Sequence, residues 1–134
     1  MTTHFFWPIR VYYEDTDAGG VVYHANYLKY FERARTERLR SLGFELDELK
    51  RSAGVLFVVK SMQVDFLRPA YFNDYLSVSA EMSEVKRASL TFIQEIRKET
   101  PDGEKLCEAT IRVACISDVA WRPVPIPSLL LERI

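Results

Sequence analysis

One long stretch of helical periodicity stands early in the chain, and nearly everything after it has the period of a strand. Between Asn26 and Leu42 the apolar residues Tyr27, Tyr30, Phe31 and Ala34 recur at three- and four-residue steps, with Leu28, Leu39 and Leu42 on the same broad side. That spacing predicts an amphipathic helix. Glu32, Arg33, Glu37, Arg38 and Arg40 supply its charged face, with i,i+4 support from Arg33 and Glu37, and Gly43 is a natural stop. A shorter helical piece is predicted through Leu46–Arg51.

After Gly54 the pattern reads as strands: Val55–Leu67, Tyr75–Val85, Ser89–Lys98 and Lys105–Ile116. In the second of these Leu76, Val78, Ala80 and Met82 oppose Ser77, Ser79, Glu81 and Ser83, which predicts one buried and one wet face. Leu90, Phe92 and Ile96 share a side of the third. Cys107, Ala109, Ile111, Val113 and Cys115 oppose Glu108, Thr110 and Arg112 in the fourth. Asn73-Asp74 and Pro101-Asp102-Gly103 mark turns, with a weaker signal at Lys86-Arg87-Ala88. Ahead of the helix, Trp7–Tyr13 is β-rich, with Pro8 tolerated at a strand start or edge. This order predicts an α+β domain in which an antiparallel sheet wraps one apolar face on a single helix. Arg122–Pro127 is too proline-rich for a central strand, and Ser128–Arg133 reads as a last helical turn.

With 134 residues, 48% of them hydrophobic and 28% charged, one domain over residues 1–134 with a real core is expected. Eighteen Lys plus Arg against nineteen Asp plus Glu leave a net charge of −1, so no positive field favours nucleic acid. The longest uninterrupted apolar run, Val55–Val59, falls far short of the roughly 20 residues of a spanning helix. Met1–Pro8 lacks the basic start and apolar stretch of a signal peptide, so a cytoplasmic protein is expected. Cys107 and Cys115 on one continuous strand would lie about 26 Å apart, beyond disulfide reach, and are expected as free buried thiols.

The unusual segment is Tyr12–Tyr27, where Glu14, Asp15, Asp17, the Gly19-Gly20 pair and His24 are packed between a strand and the helix start. The first N–H groups of a helix are unpaired and carry partial positive charge, so they can hold an anion or a developing oxyanion. A carboxylate just before them and glycines that permit close approach make a plausible reaction site. The residue pattern alone leaves Asp17 open between a reactive carboxylate and a turn residue making Asx bonds. Asp15 is read as turn-forming or supportive, and Tyr13 and Tyr23 as packing or pocket-wall aromatics. A calcium loop fails: Asp15, Asp17 and Gly20 fit positions one, three and six, but Gly19 stands at five and Asn26 at twelve. Zinc lacks ligands, since only His24 and the distant His4 offer imidazoles. No metal is expected.

The run Asp15–Tyr27, followed by Tyr30-Phe31-Glu32-Arg33-Ala34-Arg35, resembles the hotdog-fold acyl-CoA thioesterases of the 4-hydroxybenzoyl-CoA thioesterase family, and within it the branch associated with the bacterial Tol–Pal system. The likeness extends over nearly the whole chain and includes Trp7-Pro8, the Val58–Arg68 strand and the Arg87–Leu90 turn. It implies a hotdog fold, a homodimer with its active sites at the interface, and a dimer of dimers. The family's catalytic carboxylate maps onto Asp17. The backbone N–H that polarises the thioester carbonyl maps onto His24, with Gly20, Val22 and Tyr23 shaping the approach. Tyr23-His24-Ala25 departs from the 4-hydroxybenzoyl-CoA enzymes themselves and suits aliphatic acyl groups. The His24 side chain has a structural reading beside a proton-handling one.

Thioester chemistry needs little more than this. A carboxylate is ionised at neutral pH and can attack a carbonyl or deprotonate water. The coenzyme A thiol has an acidity like that of cysteine, around 8.5, and leaves as thiolate without a strong general acid. No metal or redox cofactor is called for; coenzyme A enters as part of the substrate. Glu32 and Glu37 are read as ion-pair or interface residues, although some hotdog enzymes place a catalytic glutamate on this helix. Lys60, Arg68, Lys86 and Arg87 could meet the coenzyme A phosphates, with Arg87 the first choice. The competing reading is a non-catalytic acyl or acyl-carrier-protein binding module in lipid metabolism. A hydratase would need a His and an acid poised across a pocket, which His24 beside Asp17 does not match.

Overall fold

Residues 4–134 are described in the computed structural model of the chain. Six strands form one antiparallel sheet: β1 (Phe6–Arg10), β2 (Val55–Phe66), β3 (Tyr75–Ser79), β4 (Glu81–Val85), β5 (Ser89–Lys98) and β6 (Lys105–Ser117). Its order is β1-β3-β5-β6-β2, with β4 also pairing β5, so β1 and β2 are edges. The long helix α1 (His24–Ser41) buries Tyr27, Tyr30, Phe31, Ala34 and Leu39 against the sheet. Helix α2 (Leu46–Ala53) packs against β2, and α3 (Ser128–Arg133) lies by the end of α1, where Arg133 Nη1 donates to the Leu42 carbonyl at 3.0 Å. This is the expected α+β arrangement, and no helix among the described residues is long and apolar enough to cross a membrane.

α1 ends as Gly43 predicts. Gly43 adopts φ +93, its N–H donates to the Arg40 carbonyl at 2.9 Å, and the Phe44 N–H donates to Leu39 at 3.0 Å. These two bonds make a Schellman stop, with Leu39 and Phe44 both buried beneath it. The helix starts two residues earlier than expected, at His24. Glu37 pairs with Arg40 rather than with Arg33.

Three expectations about the strands change. Trp7–Tyr13 stops at Arg10, because Tyr13–Asp15 turns into a short 3-10 helix whose entry is closed by the Tyr12 N–H donating to Asp15 Oδ2 at 2.8 Å. Tyr75–Val85 breaks at Ala80 into β3 and β4, which pair with opposite halves of β5. Strict alternation also fails at Ser77, which is buried with its hydroxyl donating to the Glu99 carbonyl, whereas β5 alternates as expected and carries the polar Gln94, wholly buried, on the side of Leu90, Phe92 and Ile96. Cys107 and Cys115 are free and buried, as expected.

Register defines two ends of the sheet. Phe66, Cys107 and Ile96 align at one; Val58, Ala114 and Ser89 align at the other. Seven residues of β5 separate these rows, roughly 23 Å. The start of α1 lies over the first, where the Tyr27 and Phe66 rings meet at 5.5 Å.

Candidate active site

Asp17 opens a tight hairpin. Its N–H donates to the Val21 carbonyl at 2.9 Å, the Gly20 N–H returns to the Asp17 carbonyl at 3.0 Å, and Thr16 bridges Val22. A three-residue loop of this kind needs a left-handed residue at its third position, which Gly20 supplies with φ +81. The Asp17 carboxylate is exposed, and its Oδ1 accepts the Gly19 N–H at 2.8 Å. The turn-forming bond is therefore present and engages one oxygen. Oδ2 has no hydrogen-bond partner among the described residues.

The hairpin's return strand feeds directly into α1. The Val22 N–H donates to Ala70 at 2.8 Å and the Tyr23 N–H to the Asp15 carbonyl at 2.9 Å. Tyr23 is the N-cap, with no side-chain cap, and His24 is the first helical residue. Neither the His24 nor the Ala25 N–H has an acceptor among the described residues, so two donors of the helix start remain available.

A cleft of about 230 Å³ opens here, lined by Val22, His24, Tyr27, Phe66, Leu67 and Arg68. Tyr27 anchors its floor, with its hydroxyl oxygen accepting the Ala70 N–H at 3.0 Å. Burial pushes the Tyr27 pKa up, and the Cys107, Asp74 and Asp17 groups push in the same direction while the Ala70 bond opposes them. The exposed His24 ring lies between Tyr23, at 4.4 Å, and Phe66, at 6.2 Å.

The residues singled out in the sequence therefore divide. Val22 and His24 line the cleft, while Asp17, Gly20 and Tyr23 belong to the hairpin that leads into it. Arg87 does not join them within one chain: it precedes Ser89, at the far end of the sheet. Of the other basic candidates, Arg68 lines the cleft with Glu104 at 3.5 Å, and Lys86 pairs with Glu84. Sequence reasoning missed Phe66 and Leu67 as cleft walls and Asn26 as a clamp on the helix start. Asn26 is a short amide in a first helical turn, and that was the available signal. Among the described residues no three His, Cys, Asp or Glu side chains converge as metal ligands.

The profile of the Thioesterase superfamily matches residues 19–105. The chain belongs to that superfamily. A Haemophilus influenzae protein named acyl-CoA thioesterase YbgC is 48% identical over 123 residues, covering 92% of this chain and 88% of its own. Acyl-CoA thioester hydrolase YbgC of Escherichia coli O6:H1 is 42% identical over 132 residues, covering 98% and 96%. Among solved structures, the gentisyl-coenzyme A thioesterase BH1999 aligns with a TM-score of 0.84 at 25% identity, covering 94% of this chain and 98% of that one. A 1,4-dihydroxy-2-naphthoyl-CoA thioesterase from Synechocystis reaches 0.89 at 23% identity over 98% and 96%, a likeness of fold. The architecture is the hotdog fold of these thioesterases, and the chain is an enzyme of their superfamily.

Proposed function

We propose that the protein hydrolyses acyl-CoA thioesters, aliphatic ones in particular, to a free acid and coenzyme A, with Asp17 as the reacting carboxylate and the His24 N–H as oxyanion donor. One observation carries this reading: a carboxylate with one unengaged oxygen and a helix start with unpaired N–H groups hang from the same hairpin. As a base, Asp17 takes a proton from water while the oxygen bonds to the carbonyl carbon; as a nucleophile, it bonds to that carbon first and water cleaves the resulting anhydride. In both routes negative charge develops on the thioester oxygen, the C–S bond breaks, and coenzyme A leaves as thiolate. Removing one oxyanion donor in such reactions costs about 10²–10³ in rate.

We further infer that two copies pair through β2. Val59, Met62 and Phe66 are exposed on this long edge strand, and such edges are otherwise aggregation sites. The strand is most exposed over residues 59–66, and antiparallel pairing of that stretch sets Val59 beside Phe66 of the partner subunit. The Arg87 end of one subunit then lies toward the helix start of the other, which supports Arg87 as a coenzyme A phosphate contact supplied across the interface. We place the protein in the cytoplasm, a setting in keeping with a coenzyme A thioester substrate.

Thiol release from short aliphatic, palmitoyl and benzoyl-CoA, compared between wild type and Asp17→Asn, tests the reading. Asn keeps an oxygen for the Gly19 N–H and so preserves the turn. Release that drops by about 10³ in a folded Asp17→Asn protein is expected. Binding of acyl-CoA without release by wild type would point instead to an acyl or acyl-carrier-protein binding module.

A further inference from the structure

A second, apolar-walled space lies beneath α1, away from the helix start. A cavity of about 320 Å³ lies between the second half of the helix and the sheet, with Phe57, Val59, Phe92 and Val113 on its walls and Arg35 and Thr36 on its helix side. Arg35 is the group there without an obvious purpose. Its Nη1 donates to Gln94 Oε1 at 3.0 Å. Gln94 is wholly buried and held by its own Nε2, which donates to the Phe31 and Ser79 carbonyls at 3.0 Å each. The guanidinium's hydrogen-bond partner is thus a neutral amide on a rigid mount.

Among the described residues no carboxylate lies within ion-pair distance of Arg35. Glu32, also on the cavity wall, instead accepts the Thr36 hydroxyl at 2.6 Å. Burial works against the Arg35 charge and lowers its pKa, with the Glu32 field opposing. A guanidinium nevertheless stays charged in proteins, and this one is partly buried against a neutral amide, with the Glu32 field but no direct ion pair to offset its desolvation. Only one of the five N–H donors is taken by a protein acceptor among the described residues, and a carboxylate entering the cavity could accept from two of the others at once.

We propose that this cavity receives the acyl part of the substrate and that Arg35 selects acyl chains ending in a carboxylate. The inference rests on the thioesterase reading and on pairing through β2. Within one chain the Val59–Val113–Leu90 row stands six residues from the Phe66–Cys107–Ile96 row, about 20 Å, too far for a short acyl chain bound at the helix start. Pairing closes that gap, because Val59 then sits beside Phe66 of the partner subunit. A thioester held at one subunit's helix start directs its acyl chain into the other's cavity, with the far end toward Arg35.

Glutaryl-CoA and valeryl-CoA share a five-carbon acyl chain and differ in the terminal carboxylate. Steady-state thiol release is measured for both with wild type, Arg35→Met and Arg35→Lys, with thermal melts to establish folding. The wild-type kcat/KM ratio of glutaryl to valeryl is expected to be about tenfold or more, and to fall at least about tenfold in Arg35→Met, mainly through KM for glutaryl-CoA. Arg35→Lys, which keeps the charge without the fork, is expected in between. A wild type that hydrolyses valeryl-CoA as well as glutaryl-CoA overturns the inference and leaves the thioesterase reading standing, whether or not the variants fold. A ratio unchanged in folded Arg35→Met removes Arg35 from the selection. No thiol release from either ester or from the wider acyl-CoA panel overturns both.

Discussion

The side-chain amide of Asn26 donates to the backbone carbonyl of Asp15 at 2.8 Å, the same oxygen that accepts the Tyr23 N–H at 2.9 Å. One carbonyl therefore fixes both the N-cap and the first turn of α1 to the chain that leads into Asp17. Asn26→Ala removes one of these two bonds. A loss of about 1 kcal/mol is expected in urea titration, since the Asp15 carbonyl keeps a partner. Because the hairpin and helix start then shift relative to each other, kcat should fall more than KM rises. Asn26→Asp sets a carboxylate against the carbonyl and is expected to cost more on both counts; wild-type stability and kcat in Asn26→Ala would show that the bond contributes nothing.

Gly20 and Gly19 differ in what a side chain would meet. At Gly20 a Cβ finds nothing within 4 Å, so the cost of Gly20→Ala is that of the φ +81 backbone alone, about 1–2 kcal/mol. Gly20→Asn, with a residue that tolerates this region, is expected to recover part of it. At Gly19 a Cβ would sit 3.2 Å from Asp17 Oδ1. Gly19→Ala should therefore disturb activity more than stability, the reverse of Gly20→Ala, and melting curves with thiol-release assays on the pair separate the two effects.

Most of the fold was legible because one-sided burial leaves a periodic trace. The α1 stripe from Tyr27 to Leu39 and the alternation from Cys107 to Cys115 both survive in the structure. The misses have a common cause. Gln94 and Ser77 are polar residues whose burial is permitted by partners distant in sequence, the Phe31 and Glu99 carbonyls, and no local pattern announces such partners. The Ala80 break interrupts the strand without shifting its register on β5, so the expected Tyr75–Val85 strand is one line of pairing in two pieces. At the site, Asp17, Gly20 and His24 stood out through a contiguous motif. Phe66, Leu67 and Arg68 reach the same cleft from the end of β2, where only folding makes them neighbours.

Pairing through β2 gives a coupled expectation. Met62 lies midway along the exposed stretch of that strand and is 41% exposed in the single chain. Met62→Lys places a charge on each side of the two-fold edge, where like charges oppose each other. Light scattering should show a shift toward monomer, and specific activity should fall with the dimer fraction as protein is diluted. A wild type that is monomeric and active at every concentration would dissociate the site from the interface.

The two cysteines set an alkaline limit. Burial pushes the Cys107 thiol up from its ordinary 9.0 to about 12, with the Asp65 charge adding to the shift and the Glu108 backbone bond opposing it. Burial raises Cys115 as well. A folded-state pKa above the unfolded value means that the native state holds its proton more tightly. That contribution is complete below pH 9 and is lost as pH rises from about 9 toward 12. Tyr27 and Tyr30, both raised by burial, act in the same direction. The urea midpoint is expected to stay level in this respect from pH 7 to 8.5 and to decline above pH 9, with a shallower decline in Cys107→Ala than in wild type. Thiol-reactive dye at pH 8 should label neither cysteine in the native protein except through unfolding, so its rate should track denaturant. Rapid labelling of folded protein would place a thiol at the surface and remove it as the source of the alkaline slope.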